Sequence, residues 1–362
     1  MITTRILAAA VAVTALSAAP ASAQMKRFGG WLAACDNTRD CAAYSIERGS
    51  MHTYLRITRE GTPSADAVMT LAISTDKPYR VLIETDDPSV ELFPKGPIAA
   101  DKIERDGHVR ITREIKPDAL VTAVRKAKEL GTYHVEKPAD WSETRIDGVP
   151  FDGLMKALAW IDDQQKRSGT VTAFVKKGPK TVLAVPDPPA APVLVVAPSV
   201  SAPAPKEAPP TILARANATC GKEQTDSELA SIVRLDDKRL MYAFTCEFYS
   251  SSASQVQAHL IAAEDKLEPA SKPRFVVPPA LARYLRANDI TKRKDTIYNP
   301  RFDAETMTLV SYAALRGAGD CGELVSWVWT GRDFQIGELR KMPDCEGIPS
   351  SDWPALYRTV RK

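Results

Sequence analysis

Hydrophobic and polar residues alternate with a period of two along much of this chain, a pattern typical of strands that bury one face. The segment 67–74 shows the alternation most clearly, since Met69, Leu71 and Ile73 fall on the same side. Turn sequences such as Asp86-Asp87-Pro88 separate neighbouring segments of this kind and favour antiparallel sheets. Strands are predicted at 52–59, 67–74, 80–85, 109–115, 171–175, 181–185, 240–248, 256–262, 308–313, 324–329 and 334–339.

Three other segments have the pattern of helices. We predict one helix that Asp118 caps and Gly131 ends, and a second that Asp152 caps and Gly169 ends. A shorter helix is predicted over 278–288, where proline stands at the start. Many strands and few helices together predict an α+β fold whose sheets are mostly antiparallel.

The composition changes at 186–210, where proline, alanine and valine dominate. Successive prolines favour an extended polyproline conformation, which cannot build a packed core. The sequence therefore predicts two strand-rich domains, 24–185 and 211–362, joined by a semi-rigid Pro/Ala-rich linker. The alternative role of the linker is that of a ligand for a proline-recognising module.

Residues 1–23 have the pattern of a secretory signal peptide. Arg5 precedes an apolar stretch, and Ala21-Ser22-Ala23 forms a small-residue cleavage site before Gln24. The alanine-rich signal favours a bacterial protein, which would then be periplasmic or secreted. No later apolar run reaches the roughly 18 residues that cross a bilayer, so no membrane insertion is expected after cleavage.

Export to an oxidising compartment changes how the cysteines are interpreted, because disulfides form and persist there. Their closeness in sequence favours three sequential bridges, since short loops close at a smaller entropic cost, although other pairings stay open. None stands at the C-x2-C spacing of a zinc site and the histidines are scattered, so no metal is expected. The six cysteines are Cys35, Cys41, Cys220, Cys246, Cys321 and Cys345.

Charge and motifs exclude several classes of function. The formal net charge is +3 with both signs interspersed, which argues against nucleic acid as a partner. Residues 317–322 match G-x-G-x-x-G, but a predicted strand follows them instead of the helix that a dinucleotide site needs. The chain has no G-x-S-x-G motif for a nucleophilic serine. We therefore expect no cofactor and assign no catalytic residue.

The predicted strand at 324–329 and its surroundings form a possible binding surface. Trp327 and Trp329 lie two residues apart, so both indoles project from one face, either as an aromatic platform or as part of the core. Asp320, Glu323 and Arg301 are the residues that general acid–base chemistry near this strand could use. Solvated carboxylates in a turn are the alternative for the two acidic residues.

Several stretches resemble a bacterial envelope family, the domain of unknown function 1176. The opening FGGWLAACDNTRDCAAYSI, residues 28–46, is similar to that family and also to the invasion-associated locus B proteins. Further matching stretches are 151–178, 298–347 and the motif DWPALYR at 352–358. The resemblance implies a periplasmic or secreted protein with bridges within Cys35/Cys41 and within Cys321/Cys345. It implies no activity and no catalytic residues.

Together these observations favour an exported cell-envelope protein that is not an enzyme. It would bind an envelope protein or a glycan, or stabilise the envelope. One alternative is an envelope hydrolase, or an inhibitor of one, that uses the carboxylates around the Cys321 loop. The other alternative is a purely structural periplasmic protein.

Overall fold

The computed structural model describes residues 23–46, 53–76, 79–100, 102–135, 143–220, 228–249, 254–264, 270–285 and 296–362. The predicted signal peptide lies outside the described residues except for Ala23. His52 of the predicted strand 52–59 and residues 286–288 of the predicted helix 278–288 also lie outside them. The fold is α+β and rich in antiparallel strands, as predicted.

Residues 23–185, here called the N-terminal part, contain two antiparallel sheets and two helices. The strands are β1 (Gln24–Phe28), β2 (Trp31–Cys35), β3 (Cys41–Ser45), β4 (Thr53–Arg59), β5 (Ala67–Ser74), β6 (Tyr79–Thr85), β7 (Ile98–Ala100), β8 (His108–Ile115), β9 (Glu129–Val135) and β10 (Glu143–Pro150). The helices are α1 (Pro117–Lys126) and α2 (Leu154–Gln164). The first sheet has the order β1-β2-β3-β4-β5-β8 and the second β10-β9-β6-β7.

The first sheet is covered on both faces. Met69, Leu71 and Ile73 are buried in a core that also contains Leu154 and Leu158 of α2, as the alternation in β5 predicts. The opposite face of the same sheet is the outer face with respect to this core. This outer face packs against residues near the C-terminus, so the first sheet is in contact with both ends of the sequence.

Residues 211–362, here called the C-terminal part, add two more sheets. Their orders are β12-β13-β14-β16 and β15-β20-β19-β18-β17, with β21 also paired to β20. The elements after β10 are β11 (Val193–Leu194), α3 (Pro210–Cys220), β12 (Glu228–Arg234), β13 (Arg239–Tyr249), β14 (Ser254–Ala263), β15 (Phe275–Val276), β16 (Thr296–Tyr298), β17 (Arg301–Asp303), β18 (Thr308–Ala314), β19 (Gly322–Trp329), β20 (Phe334–Met342), β21 (Ala355–Arg358) and β22 (Val360–Arg361).

The N-terminal and C-terminal parts share a hydrophobic core. Tyr44 and Tyr54 of the first sheet pack in one cluster with Met342, Ile348 and Trp353. The linker is also held in place, because β11 within it pairs in parallel with β22. It therefore lies along the C-terminal part instead of separating two independent bodies, and the domain limits stay a prediction.

The two predicted helices form, but with different ends. Helix α1 ends at Lys126, and Gly131 lies inside β9, which hydrogen-bonds to a strand along each edge. Helix α2 follows Gly153, whose φ is 90° and where a Cβ would lie 1.9 Å from the carbonyl oxygen of Phe28. Only glycine fits there, so this residue and not an Asp152 cap sets the start of the helix.

Two predicted strands and one predicted helix take other conformations. Residues 171–175 form turns, residues 182–184 a short 3-10 helix, and residues 279–284 another 3-10 helix. The reason at 171–175 is a buried carboxylate, because Asp162 accepts the backbone N–H groups of Phe174, Val175 and Lys176 at 2.8, 2.8 and 3.2 Å. A side chain thus binds the donors that a strand would offer to its neighbour.

Asp162 belongs to a buried polar network within the segment that resembles the family. Arg59 donates to Asp162 at 3.0 Å and to Gln165 at 2.6 Å, and its guanidinium lies 3.6 Å from the ring centre of Phe174. Arg167 donates to the same Gln165 oxygen at 3.1 Å. Burial and the charge of Arg167 lower the pKa of Arg59 to about 9, so Arg59 remains a cation at neutral pH. The network joins α2 to β4.

The three sequential disulfides are confirmed. They are Cys35–Cys41, Cys220–Cys246 and Cys321–Cys345. In the first, the two cysteines stand directly opposite each other at the end of the β2–β3 pair.

Within the described residues, the helices are too short or too polar to cross a membrane.

Candidate ligand groove between the two parts

A row of small side chains crosses the outer face of the first sheet. The strand register places Ala34 opposite Ala42, Ala42 opposite Thr58, and Thr58 opposite Val68. Glu114 of β8 lies opposite Val68 and ends the row. Because none of the first four side chains is large, the row leaves a depression that runs across the strands. We call these five residues the floor.

The depression is a groove of about 500 Å³ whose floor belongs to the N-terminal part. Residues 351–358, the wall, flank it on one side and come from the C-terminal part. The opposite side is formed by the turns beside β3, β4 and β5. The groove is therefore lined in part by the two segments, 28–46 and 352–358, that resemble the family near the ends of the sequence, and in part by residues of β4, β5 and β8.

Asp352 attaches the wall to the sheet. Its carboxylate accepts hydrogen bonds from Arg56 at 2.7 Å, from Arg110 at 2.9 Å and from the hydroxyl of Tyr54. Burial raises the pKa of the Asp352 carboxyl, but the two arginines and the tyrosine outweigh burial and hold the pKa below its ordinary value. Asp352 is therefore an ionised anchor and not a proton donor.

The other end of the wall is attached through the turn between β2 and β3. Asp36 accepts the backbone N–H groups of Thr38 and Asp40 at 2.8 and 3.0 Å, which shapes the turn. Asn37 then faces β21, accepts the N–H of Arg358 at 2.8 Å and donates to its carbonyl at 3.0 Å. The Arg358 guanidinium pairs with Asp36 at 2.5 Å. The Cys-Asp-Asn motif thus connects the two parts.

The chemistry of the groove suits binding better than nucleophilic attack. Among the described residues that line it there is no histidine, and Cys41 is in a disulfide. The hydroxyl of Ser351 donates to Asp106 at 3.0 Å. Two arginines, Arg56 and Arg358, are already paired with carboxylates. Charged groups fixed in this way can orient a ligand without reacting with it.

The predicted aromatic platform is corrected by the structure. Trp327 and Trp329 are 0% and 1% exposed, because both pack in the core of the C-terminal part with Phe334. The indole N–H of Trp327 donates to Ser311 at 3.1 Å inside that core. The alternative of core packing therefore describes them, and they offer no surface to a glycan or peptide.

The predicted acid–base residues are placed apart. Asp320 accepts from Arg316 at 2.7 Å and from the backbone of Gly347 at 2.7 Å, whereas Glu323 pairs with Lys341 at 2.7 Å. Burial raises the pKa of Asp320, but those hydrogen bonds outweigh it and lower the pKa below its ordinary value, so the group does not act as a general acid. Arg301 is exposed on β17. Asp320 instead holds the segment that leads to the wall.

The carboxylate of Asp320 and the sulfurs of Cys321 and Cys345 lie within 4.8 Å of one another. Both sulfurs are bonded to each other in a disulfide, so they cannot act as thiolate ligands. The glycine-rich residues 317–322 form the connection from β18 to β19, where a strand follows them as the sequence predicts. Neither feature provides a metal or nucleotide site.

A buried histidine makes stability depend on pH. Burial lowers the pKa of His259 on β14 to about 4, and its Nδ1 has no hydrogen-bond partner among the described residues. Between pH 6.5 and pH 4 the unfolded chain binds a proton that the folded chain rejects, so stability present above pH 6.5 is lost as the pH falls. We expect a loss of about 3 kcal/mol from this residue.

Denaturant unfolding at pH 7 and pH 4 measures this loss. The variant His259→Leu should reduce the difference between the two pH values by about 3 kcal/mol, whereas His134→Gln, half-buried on β9, should retain it. An unchanged pH dependence in H259L would contradict the assignment.

The model of a family described as "Protein of unknown function (DUF1176)" matches residues 25–360. The uncharacterised protein YpfG of Escherichia coli (strain K12) is 29% identical over 217 residues, which are 58% of this chain and 60% of that protein. The match therefore spans less than two thirds of that relative.

Solved structures also match, among them one of an invasion associated protein. The structure of invasion associated protein B from Bartonella henselae has 15% sequence identity and a TM-score of 0.29, over 40% of this chain and 99% of that one. A TM-score of this size does not establish a shared fold.

Proposed function

Since the chain belongs to the DUF1176 family of proteins of unknown function, we propose a function from its geometry: it is an exported bacterial envelope protein that binds a ligand, without catalysis, in the groove between its two parts. The family match includes both the floor and the wall. The proposed binding site therefore needs residues of both parts and would not exist in either part alone.

Export is supported by the sequence of residues 1–23 and by the disulfides. All six cysteines of the chain form the three bridges. Such bridges persist in an oxidising compartment such as the periplasm or the cell exterior.

The observation that carries the proposal is the small-residue floor beneath a fixed wall. A sheet face that only packs would be filled by large side chains, as the neighbouring row with Leu32 and Tyr44 is. Here Thr58 and Val68 remain partly accessible beside a groove of about 500 Å³, which lies in the size range of ligand sites. The hydrolase alternative loses its support, because Asp320 and Glu323 are paired with different cations.

Filling the groove tests the proposal. We expect Thr58→Trp to weaken capture of the envelope ligand by about tenfold or more, because an indole would occupy the floor. The control is Thr211→Trp, which places the same side chain at an exposed position on α3, away from the groove. Binding is measured with the mature protein and fractionated envelope extract, with thermal unfolding of each variant as a check of folding.

Equal capture by T58W and T211W would contradict the groove as the binding site. Failure of the wild-type protein to capture any peptide, protein or glycan from the extract would contradict the binding function itself.

A further inference from the structure

The residue that precedes the predicted start of the mature chain is part of the folded core. Ala23 is 1% exposed and belongs to the cluster that also contains Leu281 and Leu285 of the C-terminal part. The same residue is the last one of the predicted signal peptide, so cleavage before Gln24 would remove it. The fold thus holds a place for an alanine that the exported protein would not keep.

Two side chains of the C-terminal part hold the backbone carbonyl of Ala23. The guanidinium of Arg283 donates to this oxygen through Nη2 at 2.9 Å. The hydroxyl of Tyr284 donates to the same oxygen, also at 2.9 Å. Both donors lie in or at the end of the 3-10 helix over residues 279–284. The carbonyl of Ala23 is therefore bound in the way that a ligand oxygen would be.

The surroundings keep these two donors in position. The guanidinium of Arg283 lies 4.8 Å from the ring centre of Tyr284, which orients the two side chains together. Lys341 of β20 donates to the backbone carbonyl of Tyr284 at 2.7 Å and to Glu323 at 2.7 Å. Leu281 of the same 3-10 helix is buried. None of these contacts involves Ala23, so they persist when it is removed.

Cleavage makes the place of Ala23 attractive to an anion. Hydrolysis of the Ala23–Gln24 bond consumes one water molecule and gives a carboxylate on Ala23 and an ammonium group on Gln24. Gln24 lies opposite Cys35 in the β1–β2 pair, which keeps the new ammonium group near Arg283. The departing segment takes away the oxygen that accepted from Arg283. Two cations then lie close together, an arrangement that favours a carboxylate between them.

The charges nearby leave Arg283 available for such a ligand. The lysine beside the site, Lys341, is already paired with Glu323. Within the part of the chain that the structure describes, no carboxylate forms an ion pair with Arg283, which is exposed. A ligand carboxylate can therefore reach the guanidinium from solvent.

A cavity of about 440 Å³ begins at the same two donors. Besides Arg283 and Tyr284 it is lined by Met25, Leu315 and Pro343, so much of its wall is apolar. Its volume lies in the range of small-ligand sites. None of the residues that line it lines the groove, so the two are separate sites.

The burial of Ala23 also determines when cleavage takes place. A peptidase must reach the carbonyl carbon that it attacks. In the folded chain this carbonyl is buried and accepts two hydrogen bonds. Cleavage therefore precedes folding, and the mature protein folds without its own alanine in the site.

We propose that removal of the signal peptide after Ala23 opens a site for the C-terminal carboxylate of a peptide that ends in alanine. The carboxylate accepts from Arg283, from Tyr284 and from the ammonium group of Gln24. The last side chain takes the buried position of the Ala23 methyl group, which selects a small residue, and the apolar cavity accommodates the residue before it. This inference concerns a second site and does not depend on the groove.

Isothermal titration calorimetry with the mature protein tests the proposal. The probes are acetyl-Ala-Ser-Ala, which copies residues 21–23, the same peptide as its C-terminal amide, and acetyl-Ala-Ser-Leu. We expect the acid to bind about tenfold more tightly than the neutral amide. Alanine should bind about tenfold more tightly than leucine, because its side chain enters a fully buried position.

A further probe distinguishes two sources of the same ligand chemistry. Acetyl-Gly-Gly-Ala keeps the last residue and changes the two before it. Equal affinity for both acids assigns the site to any peptide that ends in alanine. Preference for acetyl-Ala-Ser-Ala assigns it to the released end of the signal peptide.

Variants show which groups bind the carboxylate. Arg283→Gln should lower the affinity for the acid to that for the amide, whereas Tyr284→Phe should weaken both, since both offer an oxygen to the hydroxyl. The control Arg301→Gln, which removes an exposed arginine on β17, should retain the preference for the acid. A form of the protein that begins at residue 22 retains Ala23 in the site and should not bind the peptide.

Equal affinity for acid and amide, or undiminished binding to the form that begins at residue 22, would overturn the proposal. The intact mass of the exported protein tests its premise. A chain that begins upstream of Gln24 keeps Ala23 in place, and the proposal is then wrong. Any of these results leaves the groove and its proposed function unaffected.

Discussion

Asp162→Ala is expected to lower the free energy of unfolding by about 4 kcal/mol, as breaking one side of a buried ion pair does. The side chain is fully buried, and its removal leaves Arg59 as a buried cation without its carboxylate. It also leaves the backbone N–H groups of Phe174, Val175 and Lys176 without their acceptor.

Asp163→Ala is the matched control, since the next residue on α2 pairs with Lys176 while its side chain is 44% exposed. A surface pair of this kind contributes about 1 kcal/mol or less. Asp162→Asn should fall between the two, because the amide oxygen still accepts N–H groups but the charge is gone. Denaturant unfolding at constant pH measures all three, and equal losses for D162A and D163A would contradict the structural role of the network.

Alternating apolar residues make a strand easy to predict where only one face is buried. Strand β5 was predicted over its full length, 67–74, because its apolar residues alternate. Strands β2 and β3 were not predicted, since every residue in both is buried and no alternation exists to be read. Short edge strands such as β21 have too few residues to form a pattern.

The groove could not be predicted from the sequence for a related reason. Ala34, Ala42, Thr58 and Val68 are ordinary residues on four different strands, and only the register brings them into one row. The segments around Asn37 and Asp352 were recognised by resemblance, but nothing in the sequence indicates that they meet. Two tryptophans that lie two residues apart on a strand share a face, but the sequence does not show whether that face is accessible. The predicted aromatic platform at Trp327 and Trp329 was therefore wrong, because both side chains are buried.

The second large effect is expected at the core that joins the two parts. Trp353 is 2% exposed, its indole N–H donates to Ile348 at 2.8 Å, and its ring lies 5.7 Å from that of Tyr312. Trp353→Ala should lower the free energy of unfolding by about 4 kcal/mol, since a large buried side chain leaves a cavity. Because Tyr44 and Tyr54 pack in the same cluster, the loss should reach the N-terminal part.

Amide hydrogen exchange localises this effect. In W353A, exchange should accelerate in residues 42–46 and 54–58, although the substitution is about 300 residues away in sequence, because the wall no longer covers these strands. The matched control is Trp31→Ala, the same residue type with 0% exposure in the core of the N-terminal part alone. It should destabilise that part about as strongly and leave exchange in β18–β20 nearly unchanged.

The comparison of these two variants decides whether the groove is a fixed feature of the fold. If the shared core couples the parts, W353A lowers the protection of the floor and widens the groove, so ligand affinity falls together with stability. If exchange in residues 42–46 and 54–58 stays at the wild-type rate in W353A, the wall contributes nothing to the order of the sheet beneath it. The two parts would then be independent after all, and a groove that needs both of them could not be a preformed site.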